Sequence, residues 1–508
     1  MFTLIEKLQN TRLLTVPGVL RLVEAMMTTG VNLMTMLRVA AKLHPDRIAL
    51  VDERESLNYR KLWQQAETAA IAVHAKYGIR ARQKVAIACR NHSAVVKAVF
   101  AMSRLGAHVF LINPEMSADQ MLALEERLHF DFYVHDEQLS ALFQQQSLHN
   151  KALPAYHPTD ESLDRMSLQP RPRGVRLRKV KTGNIVVMTG GTTGKPKSAS
   201  RKPSVVDFLP PFIALLTQMN LDTYRTVYVA TPIYHGFGLA ALLMGVILGA
   251  EMHVTRKFDA ARACTLIASN EIEVVALVPV MLQRMLKHDA KSLAPLHRIL
   301  TGGALLSPTL AQETLQQLGP VLFNLYGTSE AGFSIMAPPD VLQRKPESIG
   351  KPVRGVTARI INEADQPVTG KGIGRLCIRS SWTTNRKKWI ETGDLAYRDD
   401  EGDIFLCGRV DDMIVSGGEN VYPIELENVL VQHPEVDAVA VVGIADAEFG
   451  QRLKAVVVKK RDATLDRASL LDWLKPRVAR YQMPAVVEFR DELPYTPLSK
   501  VDKKALKG

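Results

Sequence analysis

Short apolar runs alternate with segments of helical periodicity along much of the chain. The runs are four to six residues long and rich in valine, isoleucine and alanine, as the buried strands of parallel sheets are. We predict strands at residues 84–89, 109–112, 226–230 and 274–278, and a helix over residues 93–105. This alternation predicts an α/β fold in which helices cover buried sheets.

The pattern changes in the last third of the chain. Two strand-like runs predict a β-rich subdomain, and after residue 411 the pattern restarts with a helical segment and two more strand-like runs. The restart predicts a small α+β domain at the C-terminal end. In chain order, these predicted elements are residues 374–379, 403–407, 425–431, 438–443 and 454–459.

The segment before residue 45 has a periodicity of its own, which predicts an amphipathic helix. Its apolar positions at helical spacing are Leu20, Val23, Met27, Val31 and Met34. Charged and polar residues interrupt the segment, so we expect neither a membrane span nor a signal peptide. Two interpretations stay open. The helix packs on the protein's own core or on a second copy in a homodimer, or it lies on a membrane surface.

Charge is distributed unevenly along the 508 residues, whose formal net charge is +12. Residues 165–206 contain eleven lysines or arginines and no acidic residue. This stretch is a solvated linker, or it attracts polyanionic substrates or an anionic membrane surface. Nucleic acid is not expected as a partner, because no interleaved aromatic residues accompany the charge. Four cysteines without paired or metal-like spacing predict a reducing, cytoplasmic location without disulfides or zinc.

A glycine- and threonine-rich loop follows the apolar run 185–188. Residues 188–199 combine glycines, which allow close approach to a polyanion, with threonine hydroxyls and two lysines, Lys195 and Lys197. The loop is not that of a P-loop NTPase, because the spacing from Gly190 to Gly194 is one residue short and Pro196 follows the first lysine. It is nevertheless suited to binding phosphate groups.

The loop resembles the phosphate loop of the adenylate-forming superfamily, usually Thr-Ser-Gly-Thr-Thr-Gly-x-Pro-Lys-Gly, with glycine at 190 and serine at 198 as departures. Four further motifs follow in the superfamily's order, at residues 326–330, 392–394, 408–420 and 494–502. The superfamily contains acyl-CoA synthetases, peptide-synthetase adenylation domains and luciferases. The resemblance runs from about residue 45 to the end and is greatest to fatty acyl-CoA synthetases. It implies a large domain at 45–410, a mobile domain at 411–508 with Asp411 as its hinge, and an N-terminal extension at 1–44.

The resemblance also implies an ATP site assembled from distant segments. Its phosphate-binding residues would be Thr189, Gly191, Thr192, Thr193, Gly194 and Lys197. Its adenine end would include Gly302, Gly303, Ala304, Asn324, Tyr326 and Gly327, and Asp394 and Arg409 would bind the ribose. For catalysis, Thr328 would contact the α-phosphate, Glu330 would bind Mg²⁺, and Lys500 would bridge carboxylate and phosphate in the transition state. The residue before this lysine is Ser499, where glycine is usual.

The implied reaction is ATP-dependent activation of a carboxylic acid to an acyl adenylate, followed by thioester formation with coenzyme A. His235, Gly236 and Phe237 would line the acyl pocket. Gly417, Gly418 and Glu419 would line the channel for coenzyme A. Uncharged neighbours of His235 favour an alkyl or aryl acid, with medium to long chains preferred.

Three alternatives to this function differ in the thiol acceptor or in catalysis itself. An acyl-AMP ligase would load an acyl carrier protein in place of coenzyme A. A peptide-synthetase module is less expected, because no carrier or condensation domain is found in these 508 residues. A non-catalytic nucleotide-binding scaffold would lack pyrophosphate exchange with any acid.

Overall fold

The computed structural model describes residues 7, 12, 15–144, 148–181, 183–189, 197–201, 205–368, 370–383, 388–416, 419–446, 450–496 and 500–507. At residues 149, 189, 197–201, 205–210, 415–416, 419–420 and 450 only the backbone is described. The chain forms two compact units. The first comprises Met1–Leu277 and Arg284–Leu300, and the second comprises Val278–Gln283 and Thr301–Gly508.

The first unit alternates strands and helices, as the hydrophobic pattern predicts, with element ends within about one residue of the predicted ones. Its strands are β1 (Gly30–Val31), β2 (Ile48–Val51), β3 (Ser56–Asn58), β4 (Lys84–Ala88), β5 (His108–Leu111), β6 (Phe132–His135), β7 (Ala152–Pro154), β8 (Val180–Lys181), β9 (Ile185–Thr189), β10 (Lys197–Arg201), β11 (Thr226–Val229), β12 (Glu251–Val254) and β13 (Val274–Leu277). Its helices are α1 (Val16–Thr29), α2 (Leu33–Leu43), α3 (Tyr59–Tyr77), α4 (Ser93–Arg104), α5 (Ala118–Leu128), α6 (Ser140–Phe143), α7 (Leu163–Leu168), α8 (Val205–Met219), α9 (Gly236–Leu248) and α10 (Ala260–Ser269). Helix α11 (Pro279–Asp289) and strand β14 (Arg298–Gly302) belong partly to each unit.

Two largely parallel sheets organise the first unit. One has the order β10-β9-β5-β4-β6-β7, in which only β10 is antiparallel to its neighbour. In the other, β13, β11, β12 and β2 are parallel neighbours and β3 is antiparallel. Strand β4 is buried over four of its five residues, which explains its uninterrupted apolar sequence.

Helix α1 lies in the segment where the periodicity predicts an amphipathic helix, but it is shorter than the apolar pattern. It begins after Thr15, whose side chain accepts from the Gly18 amide, and it ends at Thr29. The next residue, Gly30, has φ +90 and starts the short strand β1. Val31 therefore lies outside the helix, contrary to the pattern. No helix formed by described residues is long and apolar enough to cross a membrane.

The second unit is β-rich at first and ends in a small α+β region, which confirms the mixed α/β prediction. Its strands are β15 (Leu322–Thr328), β16 (Gly332–Ala337), β17 (Ser348–Pro352), β18 (Thr357–Ile361), β19 (Gly374–Arg379), β20 (Ile390–Arg398), β21 (Ile404–Arg409), β22 (Ile414–Ser416), β23 (Glu419–Val421), β24 (Val436–Asp446), β25 (Gly450–Lys459) and β26 (Val486–Arg490). Its helices are α12 (Pro308–Leu318), α13 (Pro339–Arg344), α14 (Pro423–Leu430) and α15 (Arg467–Leu474). Strands β15 to β21 form one sheet in the order β18-β19-β20-β21-β17-β16-β15, and β22 to β26 form a separate five-stranded sheet.

Candidate active site

Tyr326 near the end of β15, Asp394 in the middle of β20 and Arg409 at the end of β21 contact one another. The Tyr326 hydroxyl donates to Oδ2 of Asp394 over 2.5 Å. Arg409, the register partner of Asp394, donates from Nη1 to Oδ1 over 3.2 Å. Because a carboxylate has about four acceptor sites, Asp394 retains room for further donors such as ribose hydroxyls.

The segment of strand β20 that bears Asp394 requires a glycine before this residue. Gly393 has φ +79, and a Cβ at this position would lie 2.8 Å from Nη2 of Arg409. The Thr392 hydroxyl accepts from the Asp394 amide over 3.2 Å and donates to the Leu376 carbonyl over 3.0 Å. These contacts fix the direction of the carboxylate. Sequence reasoning did not assign this role to Thr392, although the residue belongs to the quoted motif.

Burial is the largest influence on the pKa of Asp394 and on that of the Tyr326 hydroxyl. It raises the pKa of Asp394, and the hydrogen bond from Tyr326 and the positive charges of Arg409 and Lys500 oppose that rise. Burial and the adjacent Asp394 raise the pKa of the Tyr326 hydroxyl well above its ordinary value. The hydroxyl therefore stays protonated and acts as the donor.

Lys500 lies close enough to Asp394 for its positive charge to oppose the rise in the pKa of that carboxyl. Its backbone carbonyl accepts a hydrogen bond from the Thr496 amide over 2.7 Å. Burial lowers the pKa of the Lys500 amine; Asp394 opposes that shift and Arg409 adds to it. The structure thus brings together in one unit a lysine and an aspartate that are 106 positions apart.

Arg409 also contacts the predicted hinge residue, which sequence reasoning did not foresee. Its Nε donates to Oδ1 of Asp411 over 3.1 Å. The guanidinium therefore joins the carboxylates of Asp394 and Asp411. Their spacing of two residues was the available signal, and in the structure Asp411 lies in a short 3-10 helix, Val410–Asp412, that begins directly after Arg409.

Thr328 and Glu330 lie at the turn between β15 and β16. A Cβ on Gly327 would lie 2.4 Å from the Gly332 carbonyl oxygen, so only glycine fits this close approach. The Thr328 hydroxyl accepts from the Ala331 amide over 3.0 Å. The half-buried Glu330 forms no hydrogen bond or ion pair within the described part of the chain. Its carboxylate is thus chemically suited to Mg²⁺, which prefers oxygen ligands.

The predicted adenine-binding loop lies beside β15. A Cβ on Gly302 would lie 2.6 Å from the Leu325 carbonyl oxygen, and Gly303 has φ +77. Ala304 follows in the same loop, and Asn324 is buried on the neighbouring strand. Close backbone approach therefore explains the first glycine, and the left-handed conformation explains the second.

The phosphate loop and the predicted channel for coenzyme A are described only in part. Thr189 and Lys197 are register partners in the β9–β10 hairpin, so the loop connects two paired strand ends. The Glu419 backbone pairs with Ser416 at the turn from β22 to β23. Six predicted residues lie outside the described set: Gly191, Thr192, Thr193, Gly194, Gly417 and Gly418.

His235, Gly236 and Phe237 lie at the start of helix α9 in the first unit. The His235 ring is tilted against the Tyr234 ring, with 4.4 Å between centroids. The Gly238 backbone packs tightly, because a Cβ there would lie 2.2 Å from the Pro232 carbonyl oxygen. The predicted acyl-pocket residues therefore lie at a helix start whose backbone packs closely against the preceding loop.

Trp382 is a feature that the sequence pattern did not single out. It belongs to the segment 379–391, is almost fully buried, and donates from its indole nitrogen to the Phe333 carbonyl over 3.0 Å. Its size and its amphipathic ring were the only available signals.

Known proteins resemble this chain over most of its length. The AMP-binding enzyme family matches residues 37–386, and the AMP-binding enzyme C-terminal domain matches residues 425–500. A medium/long-chain-fatty-acid–CoA ligase of Mycobacterium tuberculosis is 33% identical over 350 residues, which cover 63% of this chain and 60% of that protein. An indoleacetate–CoA ligase of Aromatoleum aromaticum is 29% identical over 492 residues, which cover 91% of this chain and 95% of that protein.

Solved structures with the same fold include enzymes with other named substrates. The o-succinylbenzoate CoA synthetase of Bacillus subtilis, in complex with its acyl-adenylate intermediate, is 26% identical with a TM-score of 0.80, and the match covers 93% of this chain and 98% of that one. An amide bond synthetase from Marinactinospora thermotolerans has a TM-score of 0.81 at 24% identity, covering 94% of this chain and 99% of that one. The chain therefore belongs to the AMP-binding enzyme family and is an AMP-forming acid–thiol ligase that uses ATP, Mg²⁺ and coenzyme A.

Proposed function

We propose that the acid is a fatty acid, with medium to long chains preferred over aryl or dicarboxylic acids. The observation that supports this proposal most directly is helix α9. All thirteen of its residues, Gly236–Leu248, are glycine or apolar. The only titratable side chains in residues 231–248 are those of Tyr234 and His235.

An acyl pocket lined by this apolar helix would discriminate among the acids named for related proteins. A fatty acid buries only methylene groups beyond its carboxylate, at about 0.8 kcal/mol for each. 2-Succinylbenzoate brings a second carboxylate, whose burial is unfavourable without a cation or hydrogen-bond donors. The fatty-acid ligase of Mycobacterium tuberculosis is also the related protein with 33% identity, which adds support from sequence.

The roles of the site residues in adenylation follow from charge. The substrate carboxylate must approach the α-phosphorus of ATP, so two anions meet and cations must surround them. Lys500 would contact both anions, and Asp394 would accept the ribose hydroxyls beside its bonds from Tyr326 and Arg409. Mg²⁺ bound at Glu330 would neutralise phosphate charge. Thr328 and the loop containing Thr192 and Thr193 would supply hydroxyl donors to the phosphates.

Transfer to coenzyme A would follow a movement of the C-terminal domain, residues 411–508, about Asp411. That movement would withdraw Lys500 from the reaction centre. The segment containing Gly417, Gly418 and Glu419 would then line the channel for the pantetheine arm, because residues without side chains allow a thin substrate to pass close to the backbone.

A mass-spectrometric assay tests the proposal. Purified protein, ATP and Mg²⁺ are mixed with saturated fatty acids of graded length, indoleacetate or 2-succinylbenzoate, with and without coenzyme A. We expect acyl-CoA from medium and long chains, its loss in Lys500→Ala, and its retention in the exposed control Lys504→Ala.

Two results would contradict the proposal. Turnover only with indoleacetate or 2-succinylbenzoate would overturn the fatty-acid assignment. An acyl adenylate that accumulates while coenzyme A stays unmodified would instead favour an acyl carrier protein as the thiol acceptor.

A further inference from the structure

Helix α1 turns its large apolar side chains away from the protein. Six of them form one exposed stripe, which we name the α1 stripe, and their exposed fractions lie between 40% and 76%. The stripe consists of Val16, Val19, Leu20, Val23, Met26 and Met27. At 100° per residue these positions span about a third of the helix circumference. An exposed apolar patch of this extent marks an interaction surface.

The opposite face anchors the helix to the first unit. The residues buried there are small: Gly18, Ala25 and Thr29. Glu24 forms ion pairs with Arg38 and Lys42 of helix α2. The charges of α1 are thus directed to its own neighbour, and the α1 stripe contains none.

Cations flank the C-terminal end of the stripe. Strand β1, which follows α1, pairs in parallel with β8, which lies within the basic stretch 165–206. The Asn32 side chain fixes this pairing by donating to the Val180 carbonyl over 3.2 Å. Arg178, Lys179 and Lys181 are exposed, and they form no ion pair with any described residue. Val180 and Lys181 of the basic stretch are therefore held beside the strand that follows the helix.

A second group of cations lies at the N-terminal end. The Thr15 hydroxyl donates to the Arg12 carbonyl over 2.7 Å, which holds Arg12 at the helix start. Burial lowers the pKa of the nearby His44 to about 4, and Arg47, Arg12 and Arg225 contribute to that shift through their positive charge. The positive charges of Arg12, Arg47 and Arg225 thus all act on the His44 imidazole.

We propose that the α1 stripe and its basic flanks dock on the surface of an anionic lipid bilayer, with the helix lying in the membrane plane. Fourteen residues give a helix about 21 Å long, whose apolar side would enter the acyl boundary while the cations meet lipid phosphates. Two copies docked through this surface would instead bring their cations together, because the stripe offers no acidic residue to meet them. The inference is independent of the acid proposed above.

Vesicle sedimentation of the full chain tests the docking. We expect binding to vesicles of phosphatidylcholine with 30% phosphatidylglycerol and about tenfold weaker binding to pure phosphatidylcholine. The double variant Leu20→Glu/Met27→Glu should lose binding by at least about tenfold. Val486→Glu, an exposed valine of the second unit, should bind like the parent. The triple variant Arg178→Gln/Lys179→Gln/Lys181→Gln should lose the preference for phosphatidylglycerol.

Activity and mass measurements complete the test. Circular dichroism and ATP–pyrophosphate exchange with a short soluble acid should be unchanged in all three variants. Equal vesicle binding by the parent and the double variant would overturn the proposal. So would a parent dimer that dissociates in Leu20→Glu/Met27→Glu without vesicle binding, because a second copy would then cover the stripe. A parent that binds no vesicles and stays monomeric would also overturn it.

Discussion

Two lysines of this protein differ in how their positive charge is balanced by nearby carboxylates. Lys97 on helix α4 is fully buried and contacts Asp164 at 2.5 Å and Glu55 at 2.7 Å. Lys500 lies near one carboxylate, Asp394, which also binds Arg409. Lys97 carries one positive charge and contacts two carboxylates, so its surroundings have an excess of negative charge. Lys500 has one carboxylate nearby, which Arg409 already binds, so its positive charge is not fully balanced. An incoming polyanion would supply the missing negative charge.

The difference teaches where to look for function among charged side chains. A closed ion pair stabilises a fold, and its removal leaves uncompensated charge. A lysine whose pKa is lowered by desolvation and by a neighbouring arginine is a candidate for ligand binding, because an anionic substrate would supply the negative charge that its surroundings lack. We therefore expect substitutions at Lys97 to act on stability and substitutions at Lys500 to act on rate.

The largest effect should come from Lys97→Ala. Removing this cation leaves Asp164 and Glu55 facing each other, at a cost of about 3–5 kcal/mol in the free energy of unfolding. Urea unfolding monitored by circular dichroism measures this loss. The exposed control Lys61→Ala should stay within about 0.5 kcal/mol of the parent. Equal stabilities for Lys97→Ala and Lys61→Ala would contradict the structural role of Lys97, and with it the contrast to Lys500.

Lys500→Ala should act on rate alone. We expect the adenylation rate to fall by about 10²–10³-fold, which corresponds to about 2.7–4 kcal/mol of transition-state stabilisation. ATP–pyrophosphate exchange measures that rate, and urea unfolding should give the parent's stability. A variant that unfolds more readily but adenylates at the parent's rate would assign Lys500 a structural role.

The pH dependence of adenylation should report the lowered pKa of Lys500. Its ammonium is lost at a pH below the ordinary lysine value of 10.5, so kcat/KM should decline on the alkaline side before that pH. Lys500→Arg keeps its charge and should remove the decline. Arg409→Gln removes a cation that lowers this pKa and should move the decline to higher pH. An unchanged profile in both variants would assign the decline to another group.

The smallest effect should come from Asp411→Asn. This change removes one of the two carboxylates bound to Arg409, and the pair is partly exposed. We expect the KM for ATP to rise about threefold, with little change in kcat of the adenylation half-reaction. Steady-state kinetics of both half-reactions provide the measurement. A tenfold loss in adenylation kcat would show that Asp411 positions more than the guanidinium.

Local patterns predicted the elements of the fold well. Strand β4 and helix α4 lie within one residue of their predicted ends, because an apolar run and a helical period are properties of neighbouring residues. The order of the motifs placed the family. The roles of individual motif residues stay proposals, because they depend on bound ligands.

Only the tertiary structure shows which side of each helix or strand faces the protein and which faces solvent. The periodicity of α1 was visible, yet only the fold shows that its large apolar side chains point outward while Gly18 and Ala25 face the protein. Both Tyr326 and Asp394 belong to motifs visible in the sequence, but the hydrogen bond between them is seen only in the structure. A period or a motif specifies chemistry along the chain. Which surfaces meet depends on long-range packing between segments far apart in sequence, and no local pattern encodes it.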